Sequence, residues 1–325
     1  MPRVGLVITI KNEESLIRQN LMYHHHTGAE HVYVYDDGAT DSSLDRIQDL
    51  PFVTIRNSVS PDELKVDYPI TYLTKKLQTH HTARQCLNVL HAKQLARDRG
   101  IDWLVSIDAD ELLLPHLTDR DRKLPELFLH LPNDVHEVHF PVLELLQTRP
   151  DFNEVFEEGT FFQSPRHTIP RKISDPLQKR VIKNHKLIGH TQGKAAVRTS
   201  SDLTPHTVHQ FTSPDRTPHK RVAAGQLLHY NMYSYANFVN KFRNFKDHAD
   251  TFIHDNQVDY LKRMWRDMVN SGEFTEEYLK QYYLDNLVLK PETLRKYSAR
   301  SFWGLFPARV IEITLVREFF LNLRR

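Results

Sequence analysis

Ten residues constrain this chain more than any other stretch: Asp102-Trp103-Leu104-Val105-Ser106-Ile107-Asp108-Ala109-Asp110-Glu111. The apolar run reads as a buried strand, and it ends in three carboxylates within four residues. Strand side chains alternate between faces, so Asp108 and Asp110 are expected to point the same way at the strand's carboxyl end. Two carboxylates side by side repel, and they stay ionised cheaply only with a cation between them. Hard oxygen ligands suit Mg²⁺ or Mn²⁺, ions that commonly bridge to substrate phosphates. The stretch therefore reads as a metal–diphosphate site at the end of a central strand, or as a solvated acidic turn. The short D-x-D spacing alone leaves both readings open.

The residues before it supply a setting. Val4 to Ile10 reads as a buried strand, followed by Lys11, then Asn12 as a helix N-cap with Glu13 and Glu14 in the first turn. His31 to Tyr35 is a second strand, ending in Asp36-Asp37-Gly38 and a turn that feeds a helix through Leu44 and Ile47. Pro51 to Ile55 is a third. Alternating strands and helices imply a parallel sheet with right-handed crossovers. Residues 58–78, with Pro61 and Pro69, read as a surface loop. Thr79 to Arg99 reads as a helix with Gly100 as its C-cap. Ligands of open α/β sheets bind outside the carboxyl ends of the strands, where Lys11 and Glu13, Asp36 and Asp37, and Asp108 and Asp110 all fall.

After Pro115 the pattern changes. Leu124 to Leu131 reads as a short helix and Val135 to Leu143 as a strand. Residues 147–193 carry charge, Pro and Phe without a clear period, as in an acceptor-side insertion of short strands and loops. Gly193 to Arg198 and Leu227 to Tyr230 read as strands, and helices are expected over 234–249, 257–271, 275–284 and 307–323. The expected organisation is one α/β domain over 1–232 and a helical extension over 233–325.

Composition narrows the classes. Hydrophobic residues make up 40% and charged residues 26% of 325, as in soluble globular proteins. The net charge is only +2, so no nucleic-acid partner is implied. Cys86 is the single cysteine, which excludes an internal disulfide and a cysteine-rich zinc cluster and fits a reducing compartment. The early charges Lys11, Glu13 and Glu14 make the first apolar run a strand rather than a signal peptide. A cytoplasmic location is expected, with the inner face of the membrane as the further option.

Lys11-Asn12-Glu13, Tyr35-Asp36-Asp37-Gly38-Ala39-Thr40-Asp41 and Trp103 with Asp108-Ala109-Asp110-Glu111 together resemble glycosyltransferases of the GT-A fold. Gly193-Lys194, Val197-Arg198, Pro205-His206, His229-Tyr230, Phe238 and Lys241 are similar to later motifs of the family 2-like group related to family 92. The resemblance covers roughly residues 4–245. It implies a Rossmann-like, mostly parallel sheet flanked by helices, and transfer of a sugar from a nucleotide-diphosphate donor to a glycan, lipid-linked or other hydroxyl. It further implies a Mn²⁺ or Mg²⁺ ion on Asp108 and Asp110, with Asp108 also near the ribose, and His229 as a distant third ligand. His206 stands second to His229, and a core histidine is the competing reading of either.

Asp36 and Asp37 match positions that contact the base or ribose, although an Asx-turn would use the same residues. Thr9, Lys11 and Glu13 line the same edge. Arg84 and Lys194 are candidates for the diphosphate, with Arg198 beside Lys194 on its strand face. A surface ion pair is the competing reading for Arg84. Family 2-like enzymes generally invert, which needs a base across the sugar from the diphosphate. Asp151, Glu154, Glu157 and Glu158 are the candidates, Glu157 foremost, with Glu144 another. Residues 302–323 with their arginines read as a helix docked on the domain or a partner, or as a peripheral membrane contact. His24-His25-His26 reads as helix surface. A nucleotidyltransferase would need a Gly-rich loop after the first strand, which is absent from Ile10 to Glu13. A non-catalytic carbohydrate-binding or scaffold protein on the same fold is the remaining alternative. No oligomeric state follows from the sequence.

Overall fold

Val4–Ile10 (β1), His31–Asp36 (β2), Val53–Asn57 (β3) and Trp103–Ile107 (β4) all lie parallel in one sheet. The computed structural model describes residues 1–64, 71–119, 121–185, 189–298 and 309–324. The chain divides into two compact units. The first holds residues 1–141, 192–227 and 251–256, and the second holds 142–191, 228–250 and 257–325. Residues 142–191, expected with the first 232, therefore cluster with the C-terminal helices.

In the first unit, β4 is followed by the short strand Glu111–Leu114 (β5), then Val135–Phe140 (β6), Lys194–Arg198 (β7) and Lys220–Ala223 (β8). The seven-stranded sheet has the order β8-β6-β7-β4-β1-β2-β3. The strand β7 runs antiparallel to both β4 and β6, and the remaining pairs are parallel. This is the mixed α/β architecture expected for a GT-A fold. Because β7 is reversed, its amino end lies beside the carboxyl end of β4.

Two helices flank this sheet, Ile17–His26 (α1) and His81–Asp98 (α2). Ala83, Cys86, Leu87 and Leu90 recur at helical spacing, and they bury against Val7, Tyr35, Leu104, Ala195 and Val197. Truncating a wholly buried residue such as Leu104 to Ala costs about 2–5 kcal/mol in cores of this kind. Gly100 ends α2 with φ of 74°. Its N–H donates to the Arg97 carbonyl and that of Ile101 to Ala96, the paired bonds of a Schellman motif.

Several expectations are corrected. The strand of the acidic motif ends at Ile107, so Asp108 and Asp110 sit in the turn between β4 and β5. Asn12 does not cap a helix: it has φ of 59°, and its Oδ1 accepts from Thr40 N–H at 2.8 Å, joining the loops after β1 and β2. Residues 44–47 form turns, since Asp41 and Ser43 hydrogen-bond locally and compete with helix formation. Pro141 lacks an N–H, and the strand expected over 135–143 is divided there. Leu124–Leu127 is a 3₁₀ turn.

The second unit is built on helices Tyr235–Asn244 (α3), Tyr260–Asn270 (α4) and Glu276–Asn286 (α5), close to their expected positions. Phe238, Phe242, Met264, Trp265, Tyr282 and Tyr283 form their shared core. Val142–Leu145 and Phe161–Gln163 pair antiparallel, as do Phe161–Gln163 and Ile311–Glu312. The expected helix over 307–323 is Leu315–Leu323. Phe302, Trp303, Leu305 and Phe306 lie outside the described residues.

Candidate active site

The acidic turn is held from below by α1. Asn20 is wholly buried, and its amide donates to the carbonyls of Ala109 at 3.0 Å and Glu111 at 2.8 Å. His24, also wholly buried, takes the Leu113 N–H on Nε2 at 3.0 Å and donates from Nδ1 to the Asn20 carbonyl at 2.9 Å. Burial pushes His24 down to about 3, which keeps it neutral and fixes that tautomer. The expectation of an exposed His24-His25-His26 surface is therefore wrong for its first member. A buried polar ladder on α1 shapes the backbone that presents Asp108 and Asp110.

From above, Lys194 enters at the amino end of β7. Its Nζ lies 2.7 Å from Asp108 Oδ2 and 3.4 Å from Glu111 Oε2. The Lys194 and Glu111 side chains are 1% and 0% exposed, and that of Asp108 is 37% exposed, so the pair runs from the interior to the surface. Glu111 also accepts the Asp108 N–H at 2.8 Å. Burial works to raise the Asp108 carboxyl, but the Lys194 ammonium outweighs it and holds the group below its usual range. Burial likewise opposes the Lys194 charge, and Asp108 and Glu111 overcome it, raising the amine. His209 donates from Nδ1 to the Gly193 carbonyl at 2.7 Å and adds to the field lowering Asp108. Gly193 has φ of 64°, and a Cβ there would meet the Phe140 carbonyl oxygen at 2.1 Å.

One row of α2 reaches over the same strand ends. Gln85 donates to Asp108 Oδ1 at 3.0 Å. Asn88, a turn beyond Arg84, donates to Thr9 Oγ1 and Ser58 Oγ, each at 3.0 Å. Arg84 grips Asp37 with two bonds of 2.6 and 2.7 Å, and Ser58 donates to Asp37 at 2.9 Å. Asp36 accepts from Gly38 and Ala39 N–H groups in an Asx-turn. Glu13 offers its backbone N–H to Ser43 Oγ at 2.7 Å, and Lys11 is exposed. Thr9, Asp37 and Arg84 thus belong to one hydrogen-bonded set and Asp108 and Lys194 to a second, each reached by the row Arg84, Gln85 and Asn88 of α2.

In the second unit His229 ends the strand Gln226–His229. Its Nδ1 lies 2.9 Å from both oxygens of Glu144, which is wholly buried and accepts the His190 N–H at 2.8 Å. The His190 and His229 rings are 4.8 Å apart. Gly189, with φ of 149°, makes room for the carboxylate: a Cβ there would meet it at 2.1 Å. A carboxylate on Nδ1 is the arrangement that orients metal-binding histidines through Nε2.

A model of the family described as Glycosyltransferase family 92 matches residues 8–268. The chain belongs to glycosyltransferase family 92. Two Arabidopsis thaliana proteins, each named glycosyltransferase-like, are 25% and 26% identical to it over 68% and 49% of its length. The chain spans 52% of the first relative and 31% of the second. Among solved structures, it is similar to Mycobacterium tuberculosis glucosyl-3-phosphoglycerate synthase in complex with Mn²⁺, UDP and glucosyl-3-phosphoglycerate, with 13% identity, a TM-score of 0.33, and 71% and 72% of the two chains covered. A complex of that enzyme with Mn²⁺, UDP and phosphoglyceric acid gives 16% identity and a TM-score of 0.27 over 44% and 43%.

In this family 92 chain several sequence-level roles move. Arg198 lies four residues along β7 from Lys194, hence at the opposite sheet edge, with its guanidinium 4.6 Å from the Trp103 ring centroid. It does not share a phosphate site with Lys194. Glu144 is engaged by His229 Nδ1 and by the His190 N–H. Glu157, on the turn of helix Val155–Glu158, is nearly buried and pairs with Arg324 at 2.6 Å. Glu158 pairs with Arg149 at 2.9 Å, and Asp151 accepts the Tyr235 N–H at 3.2 Å. The C-terminal helix buries Val316 and Phe320, and Phe320 stacks on Phe156, so its apolar face is covered within its own unit. Among the described residues no helix is long and apolar enough to cross a membrane. Sequence reasoning missed Asn20, His24, Gln85 and His209, polar residues on otherwise ordinary helix and hairpin patterns.

The donor set suits a divalent cation. Asp108, Asp110 and Glu111 bring three negative charges to one turn, and Asp110 acts electrostatically on both Asp108 and Lys194. The Lys194 ammonium cancels one charge, leaving a deficit that one divalent ion balances. Asp108 and Asp110 are partly exposed and offer hard oxygens, as Mn²⁺ or Mg²⁺ requires.

Proposed function

We propose that this protein is a metal-dependent, inverting glycosyltransferase that moves a sugar, of the hexosyl type, from a nucleotide diphosphate to an acceptor hydroxyl. The observation that carries the reading is the Asp108–Asp110 turn, held at the carboxyl edge of a parallel sheet by Asn20, Gln85 and Lys194 in a family 92 chain. Asp108, Asp110 and His229 would hold Mn²⁺ or Mg²⁺. The ion acts as a Lewis acid that stabilises the departing diphosphate.

The protein's own groups fix that site. Lys194 keeps Asp108 ionised, and Glu111 keeps Lys194 in place. The Arg84–Asp37 pair and the Asn12–Thr40 bond set the loops where Thr9, Lys11, Glu13 and Asp36 would meet the nucleoside. Glu144 selects the tautomer of His229. Glu157 is kept as base candidate only if acceptor binding frees it from Arg324. The acceptor is a glycan, a lipid-linked glycan or another hydroxyl compound, in keeping with polysaccharide synthesis. The test is calorimetric titration of the full chain with UDP and GDP, with and without Mn²⁺, followed by turnover with a panel of nucleotide sugars. Metal-enhanced binding and sugar release support the reading. Binding without turnover of any donor favours a scaffold on the same fold.

A further inference from the structure

The first segment of the second unit, residues 142–191, contains a ribbon of two strands, Arg171–Asp175 and Arg180–His185, paired with each other. Its two faces differ in chemistry. Ile173 is wholly buried and Ile182 partly so, both packed on the aromatic core of α3, α4 and α5. Asp175, also wholly buried, accepts from Tyr260 at 2.6 Å and from Arg180 at 3.0 Å. It is the ribbon's one acidic residue, and it faces inward.

The outer face carries Lys172, Val181 and Lys183, with Lys179 in the connecting turn, all exposed. Ser174 pairs with Val181 and Ile173 with Ile182, and the next pair is Arg171 with His185. Lys183 therefore lies opposite Lys172, beside an irregularity in the register. Like charges opposite one another destabilise a strand pair unless an anion lies against them. Lys179 adds a second cost, because φ of 49° is a conformation that favours Gly or Asn. Among the described residues none of the three lysines has an ion-pair partner. Lysines commonly blunt a ribbon edge, but an exposed apolar residue does not serve that end. Here the sign is uniform, and Val181 stands 53% exposed among the lysines.

We propose that this ribbon face is a docking surface for an anionic lipid bilayer. Three ammonium groups suit lipid phosphates, and a single exposed valine suits the boundary between headgroups and acyl chains. A soluble polyanion would have no use for the valine. The surface lies in the unit that also holds His229, and the proposal stands whatever the donor sugar is.

The experiment is co-sedimentation of the full chain with vesicles of phosphatidylcholine, with and without phosphatidylglycerol, at low and high salt. Binding should require phosphatidylglycerol and weaken with salt. Lys172→Gln/Lys179→Gln/Lys183→Gln should weaken it on the order of a hundredfold, near fivefold per charge. Val181→Ser should weaken it further without altering the salt dependence. Unchanged thermal unfolding of the variants shows that folding is intact. Equal binding by the triple variant overturns the proposal, as does the absence of vesicle binding at low salt. Tighter binding to heparin than to vesicles also overturns it and assigns the face to a polyanionic glycan.

Discussion

Lys194 Nζ sits 2.7 Å from Asp108 Oδ2, although 86 residues separate them in the chain. The contact exists because β7 runs antiparallel to β4 and so delivers its first residue to the carboxyl edge. Replacing Lys194 by Met removes the ammonium that lies between Asp108 and Glu111 and leaves two carboxylates facing each other. Destabilisation of about 3 kcal/mol is expected, the low end for a broken buried pair because Asp108 is partly solvated. Urea unfolding measures it. Mn²⁺ should raise the melting temperature of Lys194→Met more than that of the native chain, because the ion would replace the missing charge. An equal rise in both would argue against a cation site on this turn.

Asp110 and Asp108 should separate in their effects. Asp108 is woven into Lys194, Gln85 and Glu111, so Asp108→Asn is expected to lower both stability and metal-enhanced nucleotide binding. Asp110→Asn should abolish the enhancement, with a smaller loss of stability than Asp108→Asn because Lys194's direct bond is to Asp108. Calorimetry with UDP and Mn²⁺ gives the first quantity and denaturant titration the second. Metal-enhanced binding that survives Asp110→Asn would sink the metal assignment.

The first unit was largely legible because β1, β2 and β4 are continuous apolar runs buried on both faces, the signature of parallel sheet. The position of the acidic motif after a buried strand was legible for the same reason, although the strand stops at Ile107 and Asp108 and Asp110 fall in the turn. What stayed hidden depended on distance or on sign. Nothing local marks Lys194 as the partner of Asp108 rather than of a phosphate, since that depends on the direction of β7. Asn20 and His24 look like solvent-facing residues because polarity is read as exposure, and only the backbone groups of 109–113 reveal why they are buried. In 147–193 the strands are three to six residues long and pair within a small unit, so no period builds up.

His24 makes acid stability a direct probe of the turn. Its folded-state value, about 3, lies below the ordinary 6.5, so between them the unfolded chain binds a proton that the folded chain does not. The neutral ring's contribution is thus complete above about pH 6.5 and is lost as pH falls toward 3. The slope from this one group is about 1.4 kcal/mol per pH unit. His24→Gln keeps an acceptor for the Leu113 N–H and removes the titration. Its stability should fall less steeply than that of the native chain over this window by about that slope, as read from urea midpoints at successive pH values.

Glu144 and His229 give the most discriminating variant in the second unit. The carboxylate fixes Nδ1–H on the imidazole and leaves Nε2 as the basic nitrogen. In Glu144→Gln the geometry is nearly kept, while the negative charge that orients the ring and raises its basicity is lost. If His229 ligates the ion, affinity for Mn²⁺ should fall about 10- to 100-fold, the range typical of such supporting carboxylates. Binding of the nucleotide without metal should hold constant. A structural His229 would instead give a stability loss with metal affinity unchanged. Gly189→Ala serves as the steric counterpart: its Cβ would meet the Glu144 carboxylate at 2.1 Å, so the side chain must move and the same fall in Mn²⁺ affinity is expected.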